Sequence, residues 1–401
     1  MKPSQSRPAT SPLRQHWGLA PGVVYLNHGS FGACPRPVLE LQSRLRAELE
    51  AEPVQFLVRN YDENLAQNRA ALADFLGART RDLVFLTNAT AGVNAVLRSL
   101  ELRPGDEILT TNHAYNACRN TLIEVARRSG ARVVVAEIPF PVRSAAEIIE
   151  PVLRAVTSCT RLALLDHVTS PTALVFPITR LVRELEARGV DTLVDGAHAP
   201  GMLPLDLIEL RPAYYTGNLH KWICAPKGAA FLWVREDRQS NLHPPVISHG
   251  YNTPWPGETA LQHRFDWPGT FDPTPWLCVG EAIRWMGASL PGGWPEIMAR
   301  NCALAAAARR TLCDRLHLEP SCPEDMLGSM ATLPLPEKFQ GRPVAGILAA
   351  DQLALFDRFG LEVPFLRFGS PERRWFRLSA QIYNAIEEYD YLAQVLADPA
   401  S

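Results

Sequence analysis

A lysine and an aspartate 26 residues apart are the residues of this chain best suited to chemistry. Lys221 lies in Tyr214-Tyr215-Thr216-Gly217-Asn218-Leu219-His220-Lys221-Trp222, and Asp195 ends the apolar run Thr192-Leu193-Val194. Burial among apolar and aromatic groups disfavours an ammonium and leaves a nucleophilic amine. A carboxylate closing an apolar strand stands where α/β proteins hold ligands. An amine that forms an imine with an aldehyde, and a carboxylate that keeps a ring nitrogen protonated, are what pyridoxal 5′-phosphate chemistry requires. Plainer readings exist: a surface lysine, and an N-cap before Gly196. Asn218 and His220 beside Lys221 favour the chemical one.

Other residues gather around this pair. His198, three after Asp195, either supports the aspartate, touches the cofactor ring or is structural. Asn88-Ala89-Thr90-Ala91-Gly92-Val93-Asn94 follows a strand and opens a helix, and small residues there let amides approach a phosphate. An ordinary capped helix start would look the same. Tyr115 and His113, after the next strand, are candidates to stack on the ring or to pack beside a loop. Thr169, in Asp166-His167-Val168-Thr169-Ser170-Pro171-Thr172, marks either a contact to the cofactor's phenolic oxygen or substrate, or a turn before proline. Arg377 in Phe376-Arg377-Leu378-Ser379 suits a substrate carboxylate, or a surface salt bridge.

These groups need a scaffold. Strand-like runs are expected at 82–87, 107–111, 131–138, 161–166, 191–195 and 228–234, with helices at 93–100, 119–129, 145–156 and 178–188 between them. Apolar strands alternating with helices imply α/β architecture with a mostly parallel sheet covered on both faces. Residues 244–275, rich in Pro, Gly, Trp and His, read as an irregular connection. Helices are expected at 276–286, 295–316, 351–359 and 385–397, and short strands at 346–349, 361–366 and 375–379. The expected organisation is a tail over 1–20, a large cofactor-binding domain over 21–275, and a smaller α+β domain over 276–401.

Composition excludes some functions. A net charge of -2, with 47% hydrophobic and 20% charged residues, gives no reason to expect nucleic acid as partner. No apolar run approaches a membrane span, and no secretory leader is visible, so the cytoplasm is the default compartment. Residues 1–14 read as a loose tail. Eight scattered cysteines without a C-x-x-C pair read as reduced thiols, with no metal site expected. No G-x-G-x-x-G follows a strand, which argues against a dinucleotide site.

Four stretches together resemble the class V aminotransferase family of fold-type I pyridoxal phosphate enzymes, in its isopenicillin N epimerase-like branch. They are residues 25–32, 88–94, 194–201 with 217–222, and 377–384. The resemblance runs from about Val23 to Leu396. It implies a seven-stranded sheet, Lys221 as the imine lysine and Asp195 at the pyridine nitrogen. It implies Thr90 and Ala91 at the phosphate, helped by Asn218 and His220. Thr270, in Gly269-Thr270, would reach the phosphate of a second subunit, which makes a homodimer the expected state. Asn27, His28 and Arg377 would line the substrate side, and the substrate would be a small-molecule amino acid, with one carrying a peptide or bulky thioether a reasonable case.

Four outcomes remain open. Removal of the α-proton followed by return to the opposite face gives an epimerase, with His28, Tyr25 or Tyr115 as the second acid. Loss of a β-sulfur group gives a carbon–sulfur lyase resembling the hercynylcysteine sulfoxide lyase of ergothioneine biosynthesis. Protonation at the cofactor carbon gives transamination, and a non-catalytic cofactor-binding scaffold is the fourth. Related desulfurases carry a cysteine in the loop before the arginine strand, and residues 365–374 contain none.

Overall fold

The computed structural model describes residues 8–252, 259–341 and 348–398. Seven strands form one sheet in the order Leu83–Leu86, Ala230–Val234, Tyr214–Asn218, Asp191–Asp195, Thr160–Asp166, Glu107–Thr111, Arg132–Ala136. Ala230–Val234 is antiparallel to both neighbours, and all other adjacent pairs are parallel. The α/β class, the dominant parallel sheet and its seven strands are as expected.

Period-two alternation explains the burial of this sheet. Leu162 and Leu164 join one core, with Val93 and Val96 of helix Ala89–Ser99 and Leu122 of helix Asn116–Ser129. Ala163 and Leu165 face the other core, with Ile148, Leu181 and Leu185. Successive side chains on a strand point to opposite faces, so a sheet covered on both sides needs apolar residues at nearly every position. Helix Ile178–Glu186 shows the matching period, burying Ile178, Leu181, Val182 and Leu185.

Toward the C-terminus, strands Met330–Pro334, Arg373–Ser379 and Phe365–Phe368 form an antiparallel sheet with Arg373–Ser379 in the middle. Helices Gly293–Leu316 and Ile386–Ala397 pack on each other. Val24–Tyr25 pairs in parallel with Leu361–Glu362, and the Ser379 amide donates to the Leu26 carbonyl at 2.8 Å. These pairings bring residues 27–32 to the arginine strand.

Several local expectations needed revision. Tyr214–Asn218 is a full strand despite its mixed polarity, because both its neighbours bury it. Helices Arg36–Ala51 and Tyr61–Leu76 lie in a stretch with no assigned element. The expected helix over 276–286 is two, Thr274–Leu277 and Val279–Gly287, meeting at Cys278. Residues 244–275 contain the helix Ala260–Phe265, started by a capping box of Thr259 and Gln262. The run 361–366 is split between two sheets. The tail docks from Ser11 onward: Trp17 is 2% exposed and packs edge-on against Tyr383 and Trp285. One large indole contributes more burial than the surrounding prolines and polar groups oppose. The strand expected over 346–349 starts outside the described residues.

Glycine is required where the helix Ala89–Ser99 meets the sheet. A Cβ on Gly92 would lie 2.2 Å from Thr216 Oγ1. The close approach also lets the Ala89 amide donate to Asn218 Oδ1 at 2.9 Å. Gly92→Ala should therefore cost roughly 1–3 kcal/mol through overpacking, seen as a lower urea midpoint with an unchanged slope. A midpoint equal to that of the parent protein would contradict this packing.

Candidate active site

The C-terminal ends of the parallel strands open into a cavity of about 380 Å³. Its lining includes Lys221, Asp195, His198, Asn218, His220, Thr90 and Tyr115 from the expected set. Asp166, Ser30, Phe31 and Ser170 also line it. The crevice beyond the carboxyl ends of such strands is where open α/β sheets bind ligands.

Lys221 is 9% exposed, and its Nζ lies 3.0 Å from His198 Nε2. The other ring nitrogen of His198 accepts from Trp222 Nε1–H at 3.5 Å. An indole can only donate, so Nδ1 is unprotonated and the neutral ring carries its hydrogen on Nε2. That hydrogen points at Nζ, which must offer a lone pair. The network therefore fits a neutral amine. Burial first, and then the Arg377 charge, bring the Lys221 pKa down to about 7. His198 is held well below its ordinary value by burial and then by Lys221.

Two carboxyls form the floor. Asp166 and Asp195 are paired in register on adjacent strands, and both are buried. Asp195 Oδ1 accepts from the Ala197 amide at 3.0 Å, and Oδ2 accepts from the Cys118 thiol at 3.2 Å. Burial raises both carboxyls, and the Asp195 charge raises Asp166 further. Two carboxylates this close do not both ionise readily. The pair is therefore held above the ordinary carboxylate range as a unit.

The helix Ala89–Ser99 points its N-terminus at the cavity. Its first amide is taken by Asn218, and the Ala91 amide by the Asn88 side chain at 2.8 Å. The Thr90 amide between them has no partner among the described residues. His220 donates from Nδ1 to the Ala229 carbonyl at 3.0 Å, leaving Nε2 free to accept. Burial brings its pKa down to about 4.

Arg377 is 3% exposed and has no carboxylate partner among the described residues. One terminal nitrogen donates to the Ser170 carbonyl at 2.5 Å, and the other donates to Ser30 Oγ at 2.9 Å. Its Nε is buried without a partner. A buried cation is expensive unless an anion joins it, so the site is prepared for an anionic group.

Some expected residues lie elsewhere. His28 is fully buried: Nε2 donates to the Lys221 carbonyl at 3.0 Å, and Nδ1 accepts from Tyr383 at 2.9 Å. It braces the lysine backbone and is not among the cavity-lining residues. Asn27 accepts from Ser30 Oγ at 2.5 Å and donates to Glu362 at 3.3 Å, so it positions Ser30. The Thr169 hydroxyl is engaged with Thr172 at 2.7 Å and with the Leu174 amide at 2.9 Å, while Ser170 lines the cavity. His113 is bonded to Thr172 and to the Ile138 carbonyl, which leaves Tyr115 as the aromatic ring of that loop in the cavity. Thr270 is exposed and outside this cavity. Ser30 and Ser170 escaped the sequence reading. Their one available signal was a small hydroxyl inside each loop already marked as polar.

The residues present fit pyridoxal 5′-phosphate. Lys221 would meet its aldehyde, Asp195 its pyridine nitrogen, and Thr90 with His220 its phosphate. When bound, that group supplies an electron sink for a substrate carbanion.

The aminotransferase class-V family matches residues 33–392, and the chain belongs to that family of pyridoxal phosphate enzymes. It is 37% identical over 399 residues to isopenicillin N epimerase of Amycolatopsis lactamdurans, covering 96% of this chain and 97% of that protein. It is 28% identical to an L-cysteine desulfhydrase of Arabidopsis thaliana, covering 94% and 88%. The fold is similar to that of the cystine C–S lyase C-DES in complex with cysteine persulfide, with a TM-score of 0.79 and 21% identity over 94% of this chain and 98% of that one.

Two outcomes test the site. Below about 7 the Lys221 amine is charged in both folded and unfolded chains, and its burial costs most. Between about 7 and 10.5 the folded cofactor-free chain binds fewer protons, so stability rises with pH. Lys221→Met should lack that rise, so the difference between the two urea midpoints should change across this window; a constant difference would contradict a neutral amine. Arg377→Met should raise the KM for an amino acid roughly 100-fold, about 3 kcal/mol for two charge-assisted hydrogen bonds, without lowering the melting midpoint of the unliganded protein. A large loss of stability would mean that the cation is already paired.

Proposed function

We propose that this enzyme inverts the amino-bearing carbon of an amino acid or a peptide-like derivative, in the manner of an isopenicillin N epimerase. The observation that carries the amino acid part is Arg377, a buried cation with no carboxylate partner among the described residues, which lies behind the cavity lining and is bonded to the lining residues Ser30 and Ser170. A substrate carboxylate would pair with Arg377. Lys221 would take the α-proton, and His198 would orient the amine through Nε2–H. The similarity to isopenicillin N epimerase over nearly the whole chain supports inversion as the outcome.

A carbon–sulfur lyase is the second reading, supported by the desulfhydrase relative. It uses the same first proton step. A relay of sulfur through a cysteine has no support: none of the eight cysteines lines the cavity, and Cys118 already donates to Asp195. A non-catalytic scaffold would have no need of a neutral lysine within electrostatic range of a buried arginine that has no carboxylate partner among the described residues.

We further propose a homodimer in which Gly269-Thr270 completes the partner's phosphate site. Thr270 is exposed, Gly269 has open space around it, and Phe31 at the cavity is 69% exposed. No helix of the described residues is long and apolar enough to cross a membrane. The eight free thiols support residence in the cytoplasm.

The test is incubation of the cofactor-loaded enzyme in deuterium oxide with isopenicillin N, long-chain α-amino acids, cysteine thioethers and their sulfoxides. Deuterium at the α-carbon with inverted configuration is the expected result. Pyruvate with a released sulfur species, and no inversion of any compound, would replace it with the lyase.

A further inference from the structure

Inversion requires two proton-carrying groups, one on each face of the reacting carbon. Lys221 accounts for one. We propose that Tyr115 is the other: its phenol delivers a proton to the face opposite Lys221. This rests on the epimerase reading and adds a residue to it.

The sheet topology sets the two groups apart. Tyr115 follows Glu107–Thr111, and Lys221 follows Tyr214–Asn218. Strands Thr160–Asp166 and Asp191–Asp195 lie between them. Three strand spacings separate the two connections, roughly 14 Å at about 4.8 Å each. Lys221 and Tyr115 thus approach the cavity from opposite sides of the Asp166–Asp195 floor.

The other acids near the cavity are engaged, stand on the lysine side or, like Asp166, lie in the floor paired with Asp195. His198 is bonded to Lys221, and His220 precedes it in the chain. Both ring nitrogens of His28 and of His113 are used in the core. Tyr25 is not among the lining residues. Ser30 donates to Asn27 and accepts from Arg377. The Tyr115 hydroxyl makes no hydrogen bond among the described residues. Its side chain lies within electrostatic range of the Arg377 guanidinium.

Proton balance is simple. The α-C–H bond breaks as Lys221 Nζ takes that proton, and a new C–H bond forms with the proton of Tyr115 Oη. Tyr115 is 45% exposed, so the phenolate regains its proton from water, and Lys221 returns its own to solvent. In the reverse direction the phenolate is the base and Lys221 the acid.

Tyr115→Phe keeps the ring and removes only the acid. The experiment uses wild-type and variant holoenzymes with equal visible cofactor absorbance, in deuterium oxide, with isopenicillin N and the amino acids that the wild type inverts. The variant should lose at least about 100-fold in inversion, the usual worth of a general acid, while still exchanging the α-hydrogen with retention. Inversion within a few-fold of wild type would overturn the role of Tyr115 and leave the epimerase reading standing. Loss of exchange together with inversion would also overturn it, because the first proton step would then depend on the ring. Sulfur release without inversion by the wild type would remove the epimerase reading and this inference with it.

Discussion

Desolvation of one amine is the constraint on which the rest of the site depends. Lys221 is buried at the end of the sheet, beside an indole, an imidazole and a guanidinium. An ammonium there would face a hydrogen-bond donor on His198 and a second cation on Arg377. A neutral amine satisfies the donor and avoids the repulsion. The indole of Trp222 fixes the histidine tautomer, and the tautomer selects the amine's protonation state. His28 holds the Lys221 backbone from beneath, with both its nitrogens committed. Chemistry at Lys221 is therefore prepared by groups that need not touch a substrate.

Charge in the cavity is left unbalanced on purpose. Burial holds Asp166 and Asp195 above the ordinary carboxylate range, with the Asp195 charge raising Asp166 further, and Arg377 has no carboxylate partner among the described residues. A site that lacks an anion at one end and a cation at the other is complementary to a ligand carrying both. The cost of this arrangement is stability in the unliganded protein, which the two extensive cores on either face of the sheet sustain.

Local motifs were legible in the sequence, and long-range contacts were not. Asp195, Lys221, Asn218 and Thr90 stand at strand ends or helix starts, where a few neighbouring residues disclose their position. Ser30 and Arg377 are 347 positions apart, and nothing local to either one reveals the bond between them. His28 and Thr169 sit within polar motifs, yet their polar atoms are consumed by Tyr383 and Thr172 in the core. The strand Tyr214–Asn218 has no apolar alternation, because a strand inside a covered sheet is defined by its neighbours. Trp17 shows the converse. A single indole in a proline-rich stretch anchors a segment whose composition reads as loose.

The protonation state of Lys221 in the cofactor-free protein can be read directly. The chain has four lysines, Lys2, Lys221, Lys227 and Lys338. Carbon-13 NMR of ε-labelled lysine across pH would resolve them, with Lys221→Met assigning the signal. One ε-carbon titrating near 7 and missing from that variant is the result this account requires. A Lys221 signal titrating in the ordinary lysine range would contradict it.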